Sequence, residues 1–153
     1  MDTLYQRLQA LGLKLPPPPQ PVGAYVPALQ VGNLVFTSGQ LPLREGALVY
    51  RGKLGDEVSV AEGKKAAELC VLNALSAIEA VIGNLERIKQ VVRVVGYVAS
   101  LEGFTAQPQV LNGASELLVH LFGERGKHVR VAIGVQELPL GAPVELEMMV
   151  MVE

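Results

Sequence analysis

An arginine and two glutamates lie in the two β-rich stretches of a largely apolar segment, RVAIGVQELPLGAPVELEMMVM at residues 130–151. If residues 130–136 form a strand, alternation places Arg130 on the face opposite the valines and isoleucine of that strand. Alternation along the return strand places Glu145 and Glu147 on the face opposite its aliphatic residues. If the two strands pair as an antiparallel hairpin with their aliphatic faces together, Arg130 falls on the same side as both carboxylates. Such an arrangement is either a surface ion pair, worth about 0–1 kcal/mol, or a place where the guanidinium binds a small anion.

The other potentially reactive side chains have ordinary structural explanations. Cys70 has no base or cation beside it in the sequence, which favours a buried structural cysteine. His120 and His128 form no recognisable ligand set with the cysteine or a carboxylate, so no metal site is predicted. We interpret His128 as a surface or interface histidine. The charged residues of the last segment are therefore the main candidates for chemistry.

Two long helices should support the sheet that carries these residues. Ser59 and Glu62 form a capping box before a broad apolar stripe, which predicts a helix over about 60–82. A second stripe predicts a helix over 107–122. Asn112 lies opposite the apolar stripe of this second helix, so by default we expect its side chain to face solvent.

The beginning of the chain is predicted to precede the main domain. Leucines at helical spacing after Asp2, a reasonable N-cap, predict a short amphipathic helix within residues 1–14. The proline-rich residues 15–22 should form a stiff, extended connector. Residues 23–153 then form a single domain.

The remaining segments favour β-structure. Residues 25–43 hold two β-rich runs around Gly32–Asn33, a pair that suits a hairpin turn. A further short strand is predicted in 46–55, and a long strand in 88–100. After the short helix, the predicted order is β-β-β-α-β-α-β-β. This order predicts an α+β sandwich, in which two long helices cover one face of a mostly antiparallel sheet. The other face must meet solvent or another subunit.

Composition limits the function classes. The 153 residues are 50% hydrophobic and only 18% charged, which favours an oligomer over a small monomer. A net charge of −2, with no basic run, disfavours nucleic-acid binding. A single cysteine permits no intrachain disulfide and fits a reducing compartment, so we expect a cytoplasmic protein. No segment is long and apolar enough to be a signal peptide or a membrane span.

Several of these segments together resemble the Rid (YjgF) family of reactive intermediate deaminases. The matching blocks are GAY at 23–25, VGNLVFTSGQLPL at 31–43, R-x-A at 130–132 and LPLGAPVELE at 138–147. The resemblance implies a chorismate-mutase-like fold and homotrimers with ligand clefts between subunits. Ala132 stands where many members have cysteine, and the segment before Asn112 is longer than in short members. With the N-terminal helix, these differences place the chain in a longer branch of the family.

The resemblance also implies roles for individual residues. Arg130 would bind a substrate carboxylate, and Glu145 would position or activate water. The remaining positions would line the cleft or bind substrate: Tyr25, Ser38, Gly39, Asn112 and, through its backbone, Ala132.

The activity implied by the resemblance is hydrolysis of small anionic imines or enamines, such as 2-aminoacrylate and 2-iminobutyrate, to 2-keto acids and ammonia. The scheme requires no cofactor. The alternative is a non-catalytic trimer that binds a 2-keto acid or another small carboxylate and would not need Glu145. Endoribonuclease activity, found in some members, is a third possibility that the acidic charge balance disfavours.

Overall fold

The computed structural model describes residues 3–20 and 23–153 of the chain. The helices are α1 (Leu4–Ala10), α2 (Val60–Ile82) and α3 (Gln107–Phe122). The strands are β1 (Ala28–Val31), β2 (Leu34–Thr37), β3 (Leu43–Arg44), β4 (Ala47–Leu48), β5 (Ile88–Ala99), β6 (Val129–Val135) and β7 (Val144–Val152). Short 3₁₀ turns occupy Leu85–Arg87, Gly123–Gly126 and Pro139–Gly141.

Five strands form the main sheet in the order β1-β2-β7-β5-β6. All neighbours are antiparallel except β5 and β6, which are parallel because α3 connects them as a crossover helix. The sheet is therefore mostly antiparallel, and α2 and α3 pack on one of its faces, as predicted. The predicted hairpin of the last two strands is wrong, because β5 lies between β6 and β7.

Local sequence accounts for most element boundaries. The Ser59 hydroxyl accepts from the Glu62 amide while the Glu62 carboxylate accepts from the Ser59 amide, which completes the predicted capping box of α2. The N-cap of α1 is Thr3, in a capping box with Gln6, and not the predicted Asp2, which lies outside the described residues.

Two further strand predictions have different outcomes. The predicted hairpin around Gly32–Asn33 is present, with Val31 paired to Leu34 and Gly32 at a φ of 61°. Within 46–55, the predicted strand is only β4, which pairs with β3 in a small separate sheet.

The core lies between the sheet and the two long helices. On the sheet side it is formed by alternate residues of the central strands, and on the helix side by the apolar stripes of α2 and α3. The two helices approach closely at Gly113, where a Cβ would lie 2.2 Å from the carbonyl oxygen of Lys64. A glycine at this position therefore permits the backbone contact that sets α3 against α2.

α1 packs against the ends of the long helices. Leu4 and Leu8 are buried in the common apolar core. The Tyr5 hydroxyl donates to the Glu79 carboxylate at 2.6 Å, and Arg7 donates to the carbonyl of Leu121. α1 is thus tied to both α2 and α3.

The sheet face away from the helices, called the open face below, carries exposed apolar side chains. Leu29 is 56% exposed, Ile133 46% and Val129 61%. Strand registers place these side chains on one surface with Phe36, Val131, Tyr97, Glu145 and Glu147. A surface with this many exposed apolar side chains is typical of a protein interface. Across the two described ranges, the structure has no helix that is both long and apolar enough to span a membrane.

Candidate active site

Arg130 lies on the helix side of β6, at the edge of the sheet. It is paired in register with the buried Val94, and its Nη1 donates to Asn112 Oδ1 at 2.9 Å and to Ser115 Oγ at 3.2 Å. Asn112 is half-buried, so the default expectation of a solvent-exposed asparagine is wrong. The predicted site residues Arg130 and Asn112 are brought together because α3 crosses next to the edge strand.

Ser115 and His128 extend this cluster. His128 Nδ1 lies 2.6 Å from the carbonyl oxygen of Gly126, and Nε2 lies 2.9 Å from Ser115 Oγ. A carbonyl can only accept, so in the neutral ring Nδ1 carries the proton and Nε2 accepts from the serine hydroxyl. We call Asn112, Ser115, His128 and Arg130 the arginine cluster.

Sequence reasoning missed Ser115 and assigned His128 no role. A spacing pattern was present in both cases. Ser115 follows Asn112 by three residues, a spacing that puts both on the same face of a helix. His128 precedes Arg130 by two residues, a spacing that puts both on the same side of an extended chain. The two spacings indicate a shared site only when α3 is known to lie beside β6.

One edge of the Arg130 guanidinium is available for a ligand. Both of its hydrogen bonds use Nη1, and within the described part of the chain Nε and Nη2 have no protein acceptor. A carboxylate can bind to this edge through two parallel hydrogen bonds. The cluster therefore suits a small carboxylate ligand.

Gly39 lies next to Glu145 on the open face, and two further predicted residues, Ser38 and Tyr25, are connected to Gly39 through the chain and a hydrogen bond. A Cβ on Gly39 would lie 2.5 Å from Glu145 Oε2, so the absence of a side chain there makes room for the carboxylate. The Ser38 hydroxyl donates to the carbonyl of Val26 at 2.6 Å. Tyr25, which directly precedes Val26 in the chain, is 56% exposed. We call Tyr25, Ser38, Gly39 and Glu145 the glutamate cluster.

The environment of Glu145 favours its protonated form. Partial burial, followed by the neighbouring Glu147 carboxylate, raises the pKa of Glu145. Glu147 itself accepts a hydrogen bond of 3.0 Å from the Tyr97 hydroxyl. Burial and this carboxylate raise the pKa of Tyr97, so the hydroxyl remains a donor. Tyr97 is another contact that the sequence did not reveal.

The two clusters do not meet within one subunit. Arg130 aligns with Val94 on the helix side of β5, whereas Glu145 aligns with Tyr97 on the open face. The prediction that Arg130 shares a face with Glu145 and Glu147 is wrong, and so is the ion pair between them. The aliphatic residues of β6 point to the open face and those of β7 to the helices, so the assumption of coincident aliphatic faces fails. Ala132 lies on the same side as Arg130 and packs against the core.

A separate cavity of about 310 Å³ does not involve any predicted site residue. Both of its cations already have partners, since Lys53 pairs with Glu137 at 3.1 Å and Arg51 donates to the carbonyl of Leu140. Among residues 3–20 and 23–153, no three His, Cys, Asp or Glu side chains are grouped as a metal site.

Comparison with known proteins identifies the family. The model described as "YjgF/chorismate mutase-like, putative endoribonuclease" matches residues 5–150. The chain belongs to the YjgF family. The family resemblance and the chorismate-mutase-like α+β fold are therefore confirmed.

Relatives of this YjgF-family chain have different names. Protein TCP17 of Trypanosoma cruzi is 42% identical over 144 residues, which cover 94% of this chain and 90% of the relative. The 2-iminobutanoate/2-iminopropanoate deaminase of Dermatophagoides farinae is 30% identical over 143 residues, covering 92% and 95%. A crystal structure from Shewanella oneidensis, called a "putative endoribonuclease", superposes with a TM-score of 0.95 at 36% identity, covering 99% and 100% of the two chains.

Proposed function

We propose that this protein hydrolyses small 2-imino acids and their enamine tautomers to 2-keto acids and ammonia. The observation that carries the proposal is the Arg130 guanidinium, which Asn112 and Ser115 hold through one nitrogen while its other edge is left for a carboxylate. The name of the Dermatophagoides relative supports an imine substrate.

The complete site would be formed between subunits of a homotrimer. The arginine and glutamate clusters lie on opposite faces of one sheet, so one subunit cannot present both to a ligand of a few atoms. The exposed apolar open face, which carries the glutamate cluster, supports packing against a second copy. In this arrangement, the arginine cluster of one subunit faces the glutamate cluster of its neighbour.

The mechanism uses the two clusters for different tasks. Arg130 binds the substrate carboxylate and fixes C2. A water oriented by the neighbour's Glu145 attacks C2 and gives up a proton to that carboxylate, while the electron pair of the C=N bond moves to nitrogen. The carboxyl group returns this proton to nitrogen, which completes the carbinolamine. The same group then carries the hydroxyl proton of the carbinolamine to nitrogen, so that the C–N bond breaks with ammonia as the leaving group and the C2–O bond becomes the keto group. Because the pKa of Glu145 is raised, the group is suited both to accept and to return a proton.

The other predicted residues would shape the cleft. Tyr25, Ser38 and Gly39 would surround the glutamate, and Ala132 would contribute through its backbone. The scheme balances without a cofactor. The cytoplasm is the expected location, because a single cysteine fits a reducing compartment.

The test is keto-acid formation from freshly generated 2-iminobutyrate. Wild type should accelerate the reaction over buffer, while Arg130→Ala and Glu145→Gln should lose most of the acceleration. Arg44→Ala, which removes an exposed arginine in β3, is the matched control and should keep it. The proposal fails if wild type does not accelerate hydrolysis, or if Arg130→Ala is as fast as wild type.

A non-catalytic carboxylate-binding protein is the second candidate. The arginine cluster is complete within one subunit, so it could bind a keto acid without Glu145. Binding of 2-ketobutyrate that depends on Arg130, without any acceleration of imine hydrolysis, would favour this function. Ribonuclease activity has less support, because the chain has a net charge of −2.

A further inference from the structure

We propose that Ser115 and His128 are positioning residues that orient the Arg130 guanidinium toward a small carboxylate. The carboxylate ligand rests on the proposed function, whereas the positioning itself is a property of the free protein.

The hydrogen bonds of the cluster run in one direction. Arg130 Nη1 donates to Ser115 Oγ, the Ser115 hydroxyl donates to His128 Nε2, and His128 Nδ1 donates to the Gly126 carbonyl. Since the serine proton is directed at the imidazole, the serine lone pairs are left for the guanidinium. His128 therefore acts on Arg130 through Ser115 and forms no hydrogen bond with the guanidinium itself.

The loop that carries His128 is held firmly. Gly126 is buried against α3, where a Cβ would lie 2.3 Å from the Leu118 carbonyl oxygen. The Gln90 amide donates to the carbonyls of Lys127 at 2.6 Å and Arg125 at 3.1 Å. Backbone packing and side-chain hydrogen bonds thus fix the imidazole on a stable support.

A fixed imidazole explains how a long, flexible side chain can be kept ready for a ligand. Arg130 would otherwise lose rotamer freedom on binding, and this loss would weaken affinity. Asn112 and Ser115 hold the same nitrogen, Nη1, so they orient the guanidinium without occupying the Nε and Nη2 edge. The geometry favours carboxylates that accept two parallel hydrogen bonds.

The first experiment measures Arg130 in the ligand-free protein. The ¹⁵Nε–H signal of Arg130 should report restricted motion in the wild type and greater motion in both Ser115→Ala and His128→Phe. Ser115→Thr keeps a hydroxyl and should restore the order. His120→Phe changes the exposed histidine of α3 and is the matched control. Thermal unfolding of each variant checks that the fold is retained.

The second experiment is a double-mutant cycle on 2-ketobutyrate binding. Each single variant should weaken affinity by about three- to tenfold, as expected for one hydrogen bond. The double variant should be no weaker than Ser115→Ala, because His128 acts through the serine.

Two results would overturn the positioning role: unchanged Arg130 order in folded His128→Phe, or losses of affinity that multiply in the double variant. If wild type does not accelerate 2-iminobutyrate hydrolysis, the proposed function fails, and the ligand-free signal alone decides the positioning role.

Discussion

The Arg130 guanidinium and the Glu145 carboxylate lie on opposite faces of one sheet, and β5 separates their strands. Two residues placed in this way can serve one small ligand only if they come from different copies of the chain. The relationship makes the proposed site a property of the assembly, which can be tested by mixing variants.

Mixed trimers of Arg130→Ala and Glu145→Gln subunits should regain activity. Each cleft takes its arginine from one subunit and its glutamate from the next, so an equal random mixture restores about a quarter of the clefts. The measurement is the rate of 2-iminobutyrate hydrolysis after co-refolding the two inactive variants. A rate equal to the mean of the separate variants would show that the two residues do not act across an interface.

Ile133→Glu should dissociate the assembly and abolish activity, because it introduces a charge among the exposed apolar side chains that β6 contributes to the open face. Val119→Glu, on the outer surface of α3, should change neither property. Sedimentation equilibrium should give wild type three times the 16.3 kDa of one chain. A wild-type mass near that of a single chain would rule out the intersubunit site.

Gly39→Ala should reduce activity about tenfold or more while changing the free energy of unfolding by less than about 1 kcal/mol. The new Cβ would lie 2.5 Å from Glu145 Oε2, and the end of that flexible side chain can move away. Activity assays and chemical denaturation test the two effects.

Gly113→Ala provides the contrast, because its Cβ would meet the backbone of α2, which cannot move alone. It should lower the free energy of unfolding by about 1–3 kcal/mol. An equally destabilised Gly39→Ala would show that the glycine is needed for folding rather than for placing the carboxylate.

Activity should fall at low pH, because protonated Glu145 cannot accept a proton from water. The midpoint of this acid limb of the pH–rate profile should lie above the usual glutamate pKa of about 4.3. Burial, and after it Glu147, raises the pKa of Glu145. Glu147→Gln removes the second cause and should move the limb to lower pH, while Glu102→Gln should not. A limb unchanged by Glu147→Gln would separate the pH dependence from this pair.

The same shift has a defined sign for stability. The folded state holds the Glu145 proton more tightly than the unfolded state does. The stabilising contribution of this group is therefore complete below the unfolded pKa and is lost as the pH rises through the folded pKa. Glu145→Gln should reduce that part of the pH dependence in denaturant titrations.

The elements that sequence predicts well are those with local causes. The capping box at Ser59 and the apolar stripe after it are read from neighbouring residues, and α2 has the predicted bounds. The side-chain alternation of β7 was also predicted correctly, because it depends only on a period of two.

The errors concern pairings between distant segments. No local feature showed that β5 would enter between β6 and β7, and this insertion reverses the inferred side of Arg130. The edge position of β6 matters as well, since its outward valines look like core residues when read alone. The partnership of Ser115 and His128 likewise depends on how α3 crosses the sheet.

The attachment of α1 has a consequence for synthesis on the ribosome. Arg7 donates to the carbonyl of Leu121, which lies 114 residues later in the chain. Tyr5 donates to Glu79, which lies 74 residues after the tyrosine. Although α1 is translated first, its docking surface is incomplete until α3 has been made and has left the exit tunnel. α1 must therefore wait until the chain through α3 has been made, and its docking marks a nascent chain whose two long helices are already in place.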